Sequence, residues 1–176
     1  MQREIEVKVL NIDIEKMREK LESLGADLIN HEFQKNYTFI PKGSDGFEEG
    51  YLRVRETTHE DNGEKEIELT FKEVKTVDDV RINNEYTTHI DSVTMMNRIL
   101  EHIGMELQYS GEKERISYRY KNQRFDLDIW DKETYPEPYM EIEFSNQSKI
   151  DEIIDDLGID RKNVTNKSIT ELREDL

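Results

Sequence analysis

Charged and apolar residues alternate along the first segment of the chain, Arg3 to Leu10. Successive side chains of a β-strand point to opposite faces of a sheet. The segment therefore predicts a strand whose two faces differ in character. Its charged face would carry Glu4, Glu6 and Lys8, and its apolar face Ile5, Val7 and Val9. Two carboxylates and an ammonium group then stand in one row at the start of the fold.

Six further segments repeat this design, so seven strands are expected to carry one charged and one apolar face. Their polar rows consist of Arg53 and Arg55; Glu68, Thr70 and Lys72; Arg81 and Glu85; Lys113 and Arg115; Asp126 and Asp128; and Glu141 and Glu143. Acidic and basic rows lie on different strands, and their spacing stacks like charges into clusters. Like charges that face one another on neighbouring strands are destabilising, so each cluster needs a counter-charge.

The periodicities predict eight strands and three or four helices in a single domain that spans residues 1–176. The expected strands cover residues 3–10, 33–41, 51–58, 65–74, 81–90, 113–120, 124–131 and 138–145. The expected helices cover residues 13–24, 92–103, 148–157 and 165–174. Because most strands follow one another directly, they should form an antiparallel sheet that either stays open or closes into a barrel.

The amino-acid composition limits the kinds of molecule that the protein is expected to bind. The chain has 25 Lys and Arg against 41 Asp and Glu, which gives a net charge of −16. Such a protein should repel nucleic acids and anionic membranes, so a phosphate-bearing ligand would need a locally basic site. There is no cysteine, which excludes disulfides and thiolate metal sites. With no signal peptide and no apolar run of about 20 residues, the expectation is a soluble, cytoplasmic protein.

The charged rows have two interpretations. In an open sheet they would simply face bulk water, and their ion pairs would contribute little to stability. In a closed eight-stranded barrel they would face an interior wide enough for side chains or one small ligand. Loops and helices already supply the charge needed for solubility, and the segregated clusters favour the barrel.

A barrel lined with this many ions must be hydrated and compensated by something bound, because dry, unpaired charges are very unfavourable. Carboxylates attract a hard divalent cation, and Mg²⁺ characteristically takes one or two of them together with water and substrate phosphates. Arginine binds phosphate oxygens in a bidentate fashion, whereas lysine supplies a point charge. The interior therefore suits a metal-chelated polyphosphate.

Six motifs in this order resemble the CYTH superfamily of triphosphate tunnel metalloenzymes. They are the Glu-x-Glu-x-Lys of residues 4–8, followed by "YLRVR", "LTFK", "KERISY", "LDIW" and "MEIEF". The superfamily includes class IV adenylyl cyclases, thiamine triphosphatases, inorganic triphosphatases and fungal RNA triphosphatases. The likeness extends from residue 3 to about residue 170.

The resemblance implies an α+β fold, a closed eight-stranded antiparallel β-barrel with helices packed outside, and a triphosphate bound with Mg²⁺ or Mn²⁺. The implied metal-binding carboxylates are Glu4, Glu6, Asp128, Glu141 and Glu143, with Asp126 as the alternative to Asp128. The implied substrate-binding residues are Lys8, Arg53, Arg55, Lys72, Arg81, Glu85, Lys113 and Arg115. The residues expected to act most directly in catalysis are Glu4, Glu6, Lys72 and Glu143.

Three functions remain open on the sequence alone. The favoured one is hydrolysis of a triphosphate, which could be inorganic tripolyphosphate, thiamine triphosphate or a nucleoside triphosphate. The second is a class IV adenylyl cyclase, although "QKNYTF" has Asn36 and Thr38 where such cyclases often carry an acid and a tyrosine. The third is a barrel that binds polyphosphate without catalysis. The oligomeric state is not indicated.

Overall fold

The structure of the chain is a computed structural model. It describes the backbone of residues 2–77, 80–145 and 149–176, and the side chains of these residues except those of 2–4, 76–77 and 80–81. Two predicted site residues, Glu4 and Arg81, therefore have side chains outside the described part.

Eight strands form a closed antiparallel barrel. They are β1 (Gln2–Val9), β2 (Asp27–Pro41), β3 (Tyr51–His59), β4 (Lys65–Val77), β5 (Val80–His89), β6 (Met105–Tyr120), β7 (Gln123–Trp130) and β8 (Tyr139–Phe144). The order of the sheet is β5-β4-β3-β2-β6-β7-β8-β1, and β1 also pairs with β5, which closes it. A two-residue strand, β9 (Val164–Thr165), extends the edge of β1 beyond β5. The closed antiparallel barrel expected from the sequence is confirmed.

Four α-helices accompany the barrel in the described residues. They are α1 (Ile14–Ser23), α2 (Val93–His102), α3 (Ile150–Leu157) and α4 (Ile169–Glu174). Helices α1 and α2 begin where the side chains of Asp13 and Ser92 accept hydrogen bonds from Lys16 N and Met95 N. Such caps satisfy backbone N–H groups that have no partner within the helix. The α+β class expected from the sequence is confirmed.

The apolar faces of the strands point outward and form two main cores beneath the helices. One core lies under α1 and α3, where Leu21 and Ile153 meet the buried strand residues Val7, Leu127 and others. The other lies under α2, where Leu100 packs with Phe39 and Val54. This arrangement leaves the charged faces inside the barrel, as the alternation of the sequence predicted.

Two strands begin well before their predicted first residues, and β4 ends at Val77 rather than at residue 74. Strand β2 begins at Asp27 rather than at residue 33, and β6 begins at Met105 rather than at residue 113. Their pairing is irregular between Leu28 and Asn30. An irregular register breaks the two-residue period, which is why the pattern concealed the extra residues. Gly111 in β6 is required by a close approach, because a Cβ there would lie 2.2 Å from Thr134 Oγ1.

In the part of the chain that the structure describes, every helix is too short or too polar to cross a bilayer.

Leu127 provides a test of this outward-facing core, because its side chain is fully buried in β7. Leu127→Ala should lower the free energy of unfolding by about 2–5 kcal/mol, the usual cost of emptying a packed site. Urea denaturation would measure the loss. Leu28→Ala, at a side chain that is 58% exposed, is the control and should change stability by less than about 0.5 kcal/mol. Equal effects of the two substitutions would contradict the outward-facing core.

Candidate active site

The barrel encloses a cavity of about 200 Å³ that is lined mainly by charged side chains. It collects residues that are far apart in the chain but were assigned to one site from the sequence. These are Glu6, Lys8, Arg53, Arg55, Lys72, Glu85, Lys113, Arg115, Glu141 and Glu143. The inward-facing rows of at least six strands therefore meet around one space.

Arg115 on β6 is the centre of a buried ion cluster. Its Nε and Nη2 donate to the two oxygens of Asp128 at 2.7 Å each, in the bidentate geometry that suits a guanidinium group. It also lies 2.8 Å from Asp126 and 2.6 Å from Glu141. Burial lowers the pKa of Arg115, but these three carboxylates outweigh it and hold the pKa well above its ordinary value.

Both candidate aspartates, Asp126 and Asp128, are completely buried and contact Arg115. The resemblance left open which of the two corresponds to the tunnel aspartate of the family, and in the structure both face the interior. Asp128 accepts hydrogen bonds at both oxygens, because Lys113 Nζ also lies 2.9 Å from its Oδ2. We call Arg115, Lys113, Asp126, Asp128 and Glu141 the Arg115 network.

Lys113 holds its proton less tightly than an ordinary lysine. Burial and the nearby charge of Arg115 lower its pKa to about 8, although Asp128 opposes the shift. Its ammonium group also lies 5.1 Å above the ring of Trp130, a cation–π geometry. A bound anion would favour the charged form of Lys113.

Two lysines connect the carboxylates on the other side of the cavity. Lys8 lies 3.2 Å from Glu141 and 3.6 Å from Glu6, and Lys72 lies 3.3 Å from Glu6 and 2.9 Å from Glu85. Burial raises the pKa of Glu141, but Lys8 and Arg115 outweigh it and hold the pKa well below its ordinary value. For Glu85, Lys72 and Arg53 outweigh burial in the same way and lower the pKa.

Glu6 and Glu143 stand directly opposite each other on the paired strands β1 and β8. Like charges in that position repel unless a cation lies between or beside them. Lys8 and Lys72 already offset part of the charge of Glu6. Two carboxylates that face each other still fit a hard divalent cation, which takes one or two carboxylates together with water and phosphate oxygens. Among the described side chains, no group of three His, Asp or Glu forms a ready-made metal site. The side chain of Glu4, the third predicted ligand, is outside that set.

Arg53 and Arg55 on β3 differ from the other cations in the cavity. Within the described residues, neither lies within 4.0 Å of a carboxylate oxygen, and the Nε of Arg53 is buried without an acceptor. Arg55 donates only to a neutral group, Asn36 Oδ1, at 2.8 Å. Burial and the neighbouring charges of Arg53 and Arg115 lower the pKa of Arg55 to about 10. Within the described residues, these two guanidinium groups have no carboxylate in direct contact, although the charges of Glu32 and Glu85 act on them at longer range.

The sequence analysis missed several residues that line the cavity. Arg124 on β7 donates from Nε to Asp126 Oδ1 at 2.8 Å. Arg124 is separated from Asp126 and Asp128 by an even number of residues and so lies on the same face of the strand. The alternation could therefore have identified it. Asn36 and Thr38 could have been found in the same way along β2. Ser168, Ile169 and Thr170, at the start of α4, line one end of the cavity, and no periodicity in the sequence indicated this.

Arg115 provides a test of the network. Arg115→Met should lower the free energy of unfolding by about 3–5 kcal/mol, because it leaves buried carboxylates uncompensated. In the wild type, the low pKa of Glu141 stabilises the folded state at pH values above 4.5, the ordinary pKa of this side chain. This stabilisation is lost progressively as the pH falls below 4.5 towards the pKa of the folded state. The penalty of Arg115→Met should therefore be largest at neutral pH and smaller at pH 4.

Urea denaturation at several pH values would measure this penalty. Arg161→Met is the matched control, because Arg161 pairs with Asp151 and Asp155 on the exposed surface. Exposed pairs contribute about 0–1 kcal/mol, so the control should be nearly neutral at every pH. A penalty that does not change with pH would contradict the electrostatic interpretation.

Solved structures share this architecture. The PH1819 protein from Pyrococcus horikoshii has a TM-score of 0.80 at 20% identity, with 98% of each chain covered. A proposed adenylate cyclase from Vibrio parahaemolyticus has a TM-score of 0.71 at 12% identity, again with 98% of each chain covered. A proposed adenylyl cyclase from Hippeastrum with a dominant triphosphatase activity has a TM-score of 0.63 at 16% identity, with 89% of this chain and 88% of that chain covered. At these identities the likeness shows a shared fold.

The sequence itself gives a family assignment. No curated protein sequence matches the chain. The CYTH domain model, by contrast, matches residues 2–169, which is nearly the whole length. With this match, and with the closed barrel and its charged interior, the chain belongs to the CYTH domain family.

Proposed function

We propose that the protein is a divalent-metal-dependent phosphohydrolase that acts on a triphosphate bound inside the barrel. The main observation behind the proposal is that basic and acidic side chains lie on different sides of one cavity. On one side Arg53 and Arg55 have no carboxylate in direct contact within the described residues, and on another Glu6 and Glu143 face each other. A triphosphate would supply negative charge to the two arginines, and the divalent cation that it carries would be held by the two carboxylates.

The arginines and lysines would bind the phosphate oxygens. Arg53 and Arg55 are placed to hold one end of the anion, and Lys8, Lys72, Lys113 and Arg115 line the remainder of the cavity. Phosphoryl transfer depends on positioning and on stabilising charge that spreads over the transferred group. Cations that are fixed in the cavity would supply this stabilisation without reorganising during the reaction. Asp126 and Asp128 fix the guanidinium of Arg115 in place.

The carboxylates Glu4, Glu6 and Glu143 would hold the metal, with Glu141 next to them. Mg²⁺ or Mn²⁺ in that position would neutralise phosphate charge and lower the pKa of a bound water. Asp128 is also a predicted ligand, but both of its oxygens already accept hydrogen bonds from Arg115 and Lys113. Its geometry favours a role in positioning these two cations. Lys72, which contacts both Glu6 and Glu85, can orient the carboxylate row.

The cavity favours hydrolysis over cyclisation. A cyclase must also hold the nucleobase of ATP, usually against an aromatic ring. In the described residues, the aromatic rings that line the cavity are largely engaged. Lys113 lies above Trp130, the guanidinium of Arg173 lies 4.2 Å from the ring of Tyr109, and Tyr139 accepts a hydrogen bond from Trp130. Hydrolysis of the triphosphate needs no base pocket.

The products of the reaction test the proposal directly. The purified protein would be incubated with tripolyphosphate, thiamine triphosphate or ATP, each with Mg²⁺, with Mn²⁺ and with EDTA. We expect release of orthophosphate that stops in EDTA. Pyrophosphate together with cyclic AMP would instead identify a cyclase, and binding without any product would identify a non-catalytic barrel. Either result would reject the phosphohydrolase.

Two substitutions separate the metal site from the phosphate site. Glu143→Gln should lower kcat by about a hundredfold or more, the usual cost of losing one electrostatic stabiliser. Arg55→Ala should instead raise KM by roughly tenfold to a hundredfold, because a hydrogen bond to a charged group contributes about 1.5–3 kcal/mol. Steady-state kinetics measures both. Glu112→Gln, on the exposed outer face of β6, is the control. A Glu143→Gln enzyme with full activity would remove Glu143 from the metal site.

A further inference from the structure

Asn36 on β2 is a buried amide with one unused hydrogen-bond donor. It is 2% exposed and lines the cavity, and its Nδ2 has no acceptor in the described structure. A buried donor without an acceptor costs about 1–3 kcal/mol, so this group is expected to bind something. It lies beside Arg53 and Arg55, which lack carboxylate partners. We call Asn36, Thr38, Arg53 and Arg55 the β2–β3 wall.

The orientation of the amide follows from its neighbour. Asn36 stands directly opposite Arg55 in the strand register, and its Oδ1 accepts a hydrogen bond from Arg55 Nε at 2.8 Å. A guanidinium group can only donate, so the amide oxygen must face Arg55 and the amide nitrogen must face away from it. The N–H group of Asn36 and the guanidinium groups of the wall therefore all offer donors to the cavity.

The neutrality of Asn36 matters as much as its position. An aspartate of the same shape would accept the same hydrogen bond and would also cancel the charge of Arg55. The amide orients Arg55 and leaves its charge available. The charges of Glu32 and Glu85 act on Arg55 from a distance, but within the described residues no carboxylate contacts Arg53 or Arg55. The β2–β3 wall thus combines a neutral donor with two guanidinium groups that have no carboxylate in contact.

We propose that Asn36 binds the terminal phosphate of a linear triphosphate, donating to one phosphate oxygen through Nδ2 while its Oδ1 holds Arg55 without neutralising it. The proposal rests on the phosphohydrolase function proposed above and adds the direction in which the substrate lies. A terminal phosphate has three oxygens and up to two negative charges, whereas an internal phosphate has two free oxygens and one charge. Three donor groups, two of them cations that no carboxylate contacts within the described residues, match the terminal group.

Binding of a linear and a cyclic anion tests the assignment. Inorganic tripolyphosphate has terminal phosphates, and trimetaphosphate, its cyclic counterpart, has none. Dissociation constants would be measured by titration calorimetry in EDTA, so that turnover plays no part. The wild type should prefer the linear anion. Asn36→Asp should weaken tripolyphosphate binding by about tenfold or more, because it neutralises Arg55 and repels the anion, and should weaken trimetaphosphate binding much less.

Two further variants complete the experiment. Asn36→Ala removes the donor, together with the amide oxygen, without adding a charge and should weaken tripolyphosphate binding by about tenfold, the equivalent of one hydrogen bond to a charged group. It also keeps the test valid if Asn36→Asp does not fold. Asn62→Asp places the same extra charge in an exposed turn and should change binding by less than about twofold.

The outcomes separate this inference from the function on which it rests. If the wild type binds tripolyphosphate and both Asn36 variants bind it equally well, the role of Asn36 is overturned and the phosphohydrolase stands. If Asn36→Asp weakens the linear and cyclic anions equally, the assignment to the terminal phosphate is overturned. If the wild type binds neither anion in EDTA and also releases no orthophosphate from tripolyphosphate with Mg²⁺ or Mn²⁺, the proposed function fails and the inference fails with it.

Discussion

The enclosure of charged side chains in a closed barrel is the constraint on which the rest of the structure depends. Removing an ion from water is unfavourable unless other charges and hydrogen bonds replace the lost hydration. Around Arg115 that replacement is complete within the protein, because Asp126, Asp128 and Glu141 surround its guanidinium. Within the described residues, no carboxylate contacts Arg53 or Arg55, and a bound anion is the proposed source of that contact.

The rest of the architecture follows from placing the charges inside. The apolar faces of the strands must then point outward, and helices must cover them. Helices α1 and α3 cover one side through Leu21 and Ile153, and α2 covers another through Leu100. Both the cores and the site thus come from one alternation in the sequence. Because the apolar cores stabilise the fold, the interior can keep charged side chains that folding itself does not require.

Much of this could be predicted from the sequence, because period-two alternation fixes the face on which each side chain lies. The placement of Glu6, Arg55 and Glu143 around one interior follows from it once the sheet closes. The β-bulge near Leu28 interrupts the period, so the full length of β2 was hidden. The alternation also does not show which side chains pair with one another. It could not show that Asp128 is saturated by two cations or that Asn36 leaves Arg55 charged, since both depend on register and distance.

An experimental structure of the protein with tripolyphosphate and Mn²⁺, with the metal located by its anomalous scattering, tests the central claim most directly. The account predicts that the phosphate chain lies inside the barrel, with one end against Arg53 and Arg55, and that the manganese lies beside Glu6 and Glu143. A ligand bound on the outer surface, or an interior in which Arg53 and Arg55 contact no phosphate, would contradict it.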